Sequence, residues 1–222
     1  KHPTGWVSVF VDNAGYPDYT LHRPAAYDAA TIEPQTLALI ARSEPCWLYF
    51  GTLHSMDPRA YQLTQTLIDA IPKASRLYDI NLRKNSYKTS LVEEYLRHAD
   101  LVKMNKEEAI WLSNQFGLSR SWHKFCHEIS SKFNCQVVCV TLGKEGCCLF
   151  NAGTFIKASG YSVDVADTVG TGDAFTAGLI HGIGQDWSTG QVAEFANRIG
   201  SLVASRKGAL PPWGFDELKT SM

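Results

Sequence analysis

The stretch VADTVGTGDAFTAGLI, from Val165 to Ile180, holds two glycines and an aspartate just ahead of a run of small and apolar residues. Gly170 and Gly172 permit backbone angles that a side chain forbids, and they let main-chain N–H groups converge on one point. A helix beginning near Asp173 adds its unpaired first-turn N–H groups and the positive end of its dipole. Together these describe a place to hold an anion such as a phosphate. Asp173 is itself an anion. A carboxylate at the mouth of an anion site has one leading use, as a base that takes a proton from a nucleophile.

Three further constellations carry candidate chemistry. In DINLR, Asp79, Asn81 and Arg83 recur at a spacing of two. If the strand persists they project from one face, where three polar groups are costly unless they serve a site; the alternative is a strand that frays into a polar loop. In NKEE, Asn105 and Glu108 lie three residues apart at a helix start, the spacing of a capping box. The same pair at the end of strand DLVKM suits the positioning of hydrated Mg²⁺. In TLGKEG, Thr141, Gly143 and Gly146 follow the most apolar strand and suit either a hairpin turn or a close approach by a nucleotide. Two common phosphate loops are excluded. GxxxxGK[ST] is absent because Lys144 is followed by Glu145, and GxGxxG fails because Phe175 takes the place of its third glycine.

Alternating elements position these residues. WVSVFV, then DNAG, then YPDYTLH reads as two strands and a turn. Beyond Tyr27 helices and strands alternate: helix TIEPQTLALIARS, strand CWLYFGTL, helix PRAYQLTQTLIDAI with Pro58 in its first turn, strand SRLYDINLR, helix KTSLVEEYLRHA, strand DLVKM and helix NKEEAIWLSNQFG. Helix SRSWHKFCHEISSKF, strand CQVVCVTLG, a hairpin from CCLFNAG and TFIKASG, and helices GDAFTAGLIHGIG and STGQVAEFANRIGSLVASRKG complete the pattern. Such alternation predicts an α/β fold with a mainly parallel sheet covered on both faces, and ligands beyond the carboxyl ends of its strands. The expected organisation is a projecting β lid over residues 1–27 and an α/β core over 28–222.

The totals narrow the function classes. Across 222 residues the formal net charge is −1, which gives no general attraction to nucleic acid or an anionic membrane. No apolar run is long enough to span a bilayer. The six cysteines show no CxxC pair and no zinc spacing, as expected of reduced, buried thiols in a cytoplasmic protein.

The ordered motifs resemble those of the ribokinase-like (PfkB) carbohydrate kinases. The signature D-T-x-G-[AS]-G-D stands here as Asp167-Thr168-Val169-Gly170-Thr171-Gly172-Asp173; DINLR, NKEE and TLGKEG before it and FANRIGSLVASRKGA after it support it in the family's order. DINLR and KMNKEEA, with FGTL upstream, are most similar to the fructokinase branch. The resemblance implies a three-layer α/β/α core with a small β lid, and in-line phosphoryl transfer from ATP to a primary hydroxyl. Fructose to fructose 6-phosphate is the best match; ribose, 2-keto-3-deoxygluconate or a nucleoside are other acceptors of the family, and a non-catalytic binding protein is the alternative class.

By the same resemblance Asp173 is the base, and Gly170, Thr171 and Gly172 form the anion hole. Asp79, Asn81 and Arg83 approach sugar or phosphate. Thr141, Gly143, Gly146 and Asn197 border the nucleotide, and Asn105 and Glu108 organise Mg²⁺ through water. Asp167 with the carbonyls of Val169, Val203 and Gly208 suits a monovalent cation such as K⁺. A homodimer clasped through the lid is implied as well. Two departures stand out: Thr171 replaces the usual Ala or Ser, and the N-terminal strands that supply part of the family's sugar site are expected to precede Lys1.

Overall fold

The computed structural model describes residues 2–11, 17–83 and 87–220. The chain forms two compact units, Lys1–Val102 with Phe133–Cys135 and Lys103–Lys132 with Gln136–Met222. A two-stranded antiparallel sheet pairs β1 (Val7–Val11) with β2 (Pro17–Leu21) in the register Val7 to Leu21. The DNAG turn expected between them lies outside the described residues. The main sheet runs in the order β3 (Trp47–Gly51), β4 (Ser75–Asp79), β5 (Leu101–Asn105), β6 (Val137–Thr141), β7 (Cys147–Asn151) and β8 (Thr154–Ala158). It is mostly parallel; β6, β7 and β8 form an antiparallel meander at one edge.

In the first unit, α1 (Pro34–Arg42), α2 (Pro58–Ala70) and α3 (Thr89–His98) alternate with β3, β4 and the start of β5. Pro58 takes the first position of α2, and Asp57 caps that helix by accepting from the Arg59 N–H. The core of this unit is aromatic. Phe50 stacks on Tyr78 at 5.5 Å between ring centroids, and Tyr95 meets both rings edge-on. The buried phenols find partners: the Tyr78 and Thr52 hydroxyls share a 2.6 Å hydrogen bond, and Tyr95 donates to Ser55.

In the second unit, α4 (Lys106–Phe116), α5 (Trp122–Phe133), α6 (Thr171–Gly184), α7 (Thr189–Ala204) and the short α8 (Phe215–Thr220) accompany β6, β7 and β8. Helix α8 falls in a segment for which the sequence predicts no element. Helices α6 and α7 pack closely because α6 offers glycines to its neighbour. A Cβ on Gly178 would lie 3.0 Å from the Ala196 Cα. This packing fixes where the first turn of α6 points.

Of the two readings open for DINLR, the strand that gives way to a loop is the one found. β4 ends at Asp79, and Asn81 adopts a left-handed φ of 40°. Asp79, Asn81 and Arg83 therefore do not share a strand face. Asparagine tolerates that conformation better than most residues, so the chain turns out of the sheet there.

Candidate active site

Helix α6 starts at a corner that only glycine can make. Gly170 precedes it with φ 80°, and a Cβ there would lie 2.3 Å from the Ala209 carbonyl oxygen. The loop ahead of the corner is tied down by Asp167. One carboxylate oxygen accepts from the Val169 N–H at 3.0 Å and the other from the Gly208 N–H at 3.1 Å. Those backbone donors, Val169 first, hold the Asp167 carboxyl below its usual range. The N–H groups of Ala166 and Asp167 donate to the Ala204 carbonyl at the end of α7. No side chain caps α6; the Thr171 N–H donates back to the Thr168 carbonyl at 3.3 Å, which leaves the N–H groups of Gly172 and Asp173 for a ligand.

That first turn borders two cavities. Thr171 and Gly172 line one of about 530 Å³, together with Thr141, Gly143, Gly146 and Asn197. Two of the three residues expected to meet phosphate thus share one space with the nucleotide set, of a size suited to a nucleotide, while Gly170 lines the second cavity. Asp173 lines the other, of about 600 Å³, whose wall is otherwise mostly apolar, with Phe195, Ile199 and Trp213. Asp173 and the pair Thr171 and Gly172 so border different spaces within a single helical turn. The Thr171 hydroxyl is shielded from solvent and has no hydrogen-bond partner, an unmet polar atom in the middle of the site.

The wall of the first cavity is built from turns. The Thr141 hydroxyl donates to the Met104 carbonyl at 3.4 Å, joining the ends of β5 and β6. Gly143 opens a single 3-10 turn, and Gly146 closes it with φ 95° against the Ala158 carbonyl. Asn197 is buried on α7; its side-chain amide donates to the Ser159 carbonyl at 3.4 Å and approaches the Cys147 sulfur at 3.5 Å. That amide therefore pins the exit of β8 as well as lining the cavity.

At the end of β5 the NKEE spacing forms a complete capping box. The Asn105 side-chain oxygen accepts from the Glu108 N–H, and a Glu108 carboxylate oxygen accepts from the Asn105 N–H, each at 2.8 Å. Glu108 is only 5% exposed. Both side chains supply hard oxygen donors, the chemistry that suits Mg²⁺, and their engagement with the backbone fits a hold through water rather than direct ligation. Among the described residues no cluster of three or more His, Cys, Asp or Glu side chains could hold a metal by itself.

The remaining candidates lie in the first unit. Asp79 is buried at the end of β4, where the Tyr49 hydroxyl donates to it at 3.4 Å; Asn81 follows in the turn, and Arg83 is exposed. Sequence reasoning missed one residue of the second unit, Lys103. It is buried at 8% exposure in β5, and its ammonium is the nearest atom to the position a Gly172 side chain would take. The available signal was a lysine within the otherwise apolar run LVKM, on the same strand face as Asn105.

A glycine corner thus sets the first turn of α6 against a nucleotide-sized space, with a carboxylate on the adjoining residue. Residues 1–214 match the profile of the pfkB family carbohydrate kinases, and the chain belongs to that family. An uncharacterized sugar kinase of Pyrococcus horikoshii is 28% identical over 229 residues, covering 98% of this chain and 68% of that protein. Its crystal structure in complex with ATP superposes with a TM-score of 0.74 at 26% identity, over 94% of this chain and 67% of that one. A fructokinase of Escherichia coli is 28% identical over 232 residues, 94% of this chain and 70% of its own length. The fold is ribokinase-like: an apo structure from Escherichia coli assigned as ribokinase II reaches a TM-score of 0.83 at 17% identity, over 99% of this chain and 71% of that chain. The chain spans about two thirds of the length of these relatives. No helix among the described residues is long and apolar enough to cross a membrane.

Proposed function

We propose that the protein is an ATP-dependent sugar kinase that transfers the γ-phosphoryl group to a primary hydroxyl, with D-fructose as acceptor and fructose 6-phosphate as product. The observation that carries this reading is the division of labour across the first turn of α6, with Gly172 lining the nucleotide-sized cavity and Asp173 lining the adjoining one. Similarity to a fructokinase over 94% of the chain supports the choice of sugar.

The chain's own residues then have assignable work. Amides at Gly170, Thr171 and Gly172 receive the negative charge of the transferring group, where fixed dipoles need no reorganisation. Asp173 accepts the proton of the attacking hydroxyl as the new bond forms. Thr141, Gly143, Gly146 and Asn197 seat the nucleotide, so that much of the rate comes from alignment. Asn105 and Glu108 hold Mg²⁺ through water; when bound with ATP the ion neutralises phosphate charge. Asp79, Asn81 and Arg83 serve the sugar or its incoming phosphate.

Asp167 with the Val169, Val203 and Gly208 carbonyls forms a K⁺ site beside the anion hole, and the β1–β2 ribbon of residues 1–27 serves as lid and dimer clasp over the core of 28–222. The cytoplasm, with its ATP and free sugars, is the compartment that fits. The test is a coupled ADP-release assay with Mg²⁺ and ATP across fructose, ribose, 2-keto-3-deoxygluconate and a nucleoside. ADP release driven best by fructose is the expected outcome; a stronger response to another acceptor reassigns the sugar, and no acceptor-dependent release refutes the kinase reading.

A further inference from the structure

The turn that carries Asp173 has a cation built against it. Lys103 lies in β5 between Val102 and Met104, both fully buried, and is itself 8% exposed. Placing an ammonium in such a strand is costly, and a long stem lets the head reach polar ground. The head lies beside the first turn of α6. A Cβ on Gly172 would stand 3.4 Å from the Lys103 Nζ, and beyond its own helix and chain neighbours nothing else would lie within 4 Å of it.

Gly172 has no backbone reason to be glycine. Its φ is not positive, and apart from that ammonium nothing crowds the position. Glycine within a helix is less stable than alanine. What the missing side chain provides is a bare backbone beside the ammonium, and Gly172 lines the nucleotide-sized cavity. The adjacent Thr171 hydroxyl, buried without a partner, marks the same turn as unfinished without a ligand.

We propose that Lys103 is a catalytic residue that hydrogen-bonds the γ-phosphoryl group held at Gly172 and follows it through transfer. This rests on the kinase reading above. In the step, the bond from the γ-phosphorus to the bridging oxygen breaks and its electron pair leaves with ADP. The acceptor oxygen bonds to phosphorus, and its proton passes to Asp173. Lys103 donates a hydrogen bond to the oxygens in flight and takes no part in the proton transfer. Because the ammonium reaches the turn that holds the third phosphate, it distinguishes a nucleoside triphosphate from a diphosphate.

The test is calorimetric binding of a non-hydrolysable ATP analogue and of ADP, each with Mg²⁺, to the wild type, Lys103→Met and Lys103→Arg, alongside turnover with the best acceptor. Lys103→Met is expected to lose about tenfold in affinity for the triphosphate, as for one charge-assisted hydrogen bond, while ADP affinity stays put. Turnover should fall by about 10²–10³ with the acceptor KM unchanged, and Lys103→Arg should recover part of the triphosphate preference. Equal loss for both nucleotides, or none for either, overturns the proposal. Should the variants unfold, the ammonium resonance of Lys103 in the wild type labelled with ¹⁵N-lysine decides: a shift with the triphosphate analogue but not with ADP supports the contact, and identical responses overturn it. A wild type that binds neither nucleotide defeats the kinase reading itself, which separates the two failures.

Discussion

Asn105 and Glu108 hold each other's backbone. Each side chain accepts the other residue's N–H at 2.8 Å, closing the N-terminus of α4. The same two residues are those expected to organise Mg²⁺, so structural and catalytic roles are superimposed and must be separated by substitution. Gln at position 108 keeps the oxygen that completes the box but removes the charge. Glu108→Gln should therefore leave thermal unfolding near the wild type while raising the Mg²⁺ concentration needed for half-maximal turnover. Asn105→Ala breaks the cap and should lower stability by about 1 kcal/mol. If Glu108→Gln shifts only the unfolding temperature, the pair is a helix cap and nothing more.

Asp173 stands in the first turn of α6 and lines the cavity that adjoins the nucleotide-sized one. A base in that position is used in the chemical step and not in holding ATP. Asp173→Asn should bind nucleotide nearly as the wild type does and lose about 10²–10⁴ in turnover. Single-turnover ADP release measures the loss, and near-normal turnover would remove Asp173 from the base role.

The two glycines of the turn should behave differently. Gly170 sits at φ 80° with the Ala209 carbonyl against it, so Gly170→Ala strains the backbone and meets a clash. It should cost more than about 1 kcal/mol in urea unfolding. Gly172 has neither constraint, and Gly172→Ala should fold at least as stably as the wild type. Its added methyl enters the space before Lys103, so nucleoside triphosphate binding should weaken instead. Equal stability losses at both positions would show that Gly172 serves the fold and not the ligand.

The legible and illegible parts of the molecule divide along a physical line. Apolar runs such as VVCVT and the helix signal of Pro58 act locally, and the elements they predict are present at β6 and α2. The NKEE cap is local as well and was readable from spacing. Contacts between segments distant in sequence were not. Nothing near Asp167 announces that its carboxylate receives the Gly208 N–H, and nothing near Lys103 announces Gly172. The end of β4 fell between these cases. Asn81 carried a signal for a left-handed turn, but the spacing of two in DINLR spoke equally for a continued strand. The aromatic cluster of Phe50, Tyr78 and Tyr95 likewise forms only once three elements are packed.

Asp167 gives the fold a pH dependence with a definite sign. Backbone N–H groups from Val169 and then Gly208 favour its charged form, so its carboxyl titrates lower in the folded protein than in the unfolded chain. A depressed carboxyl contributes stability that is present above the unfolded value, about 4 for an aspartate, and is lost as pH falls through the folded value. Asp167→Asn keeps one acceptor and loses the charge. The variant should be less stable than the wild type by a constant margin from pH 6 to 8, and the margin should close as pH drops below about 4. Urea unfolding of both proteins across that range is the measurement. A margin unchanged into acid would mean that the loops meeting at Gly170 are held by packing against Ala209 and not by the ionised carboxylate.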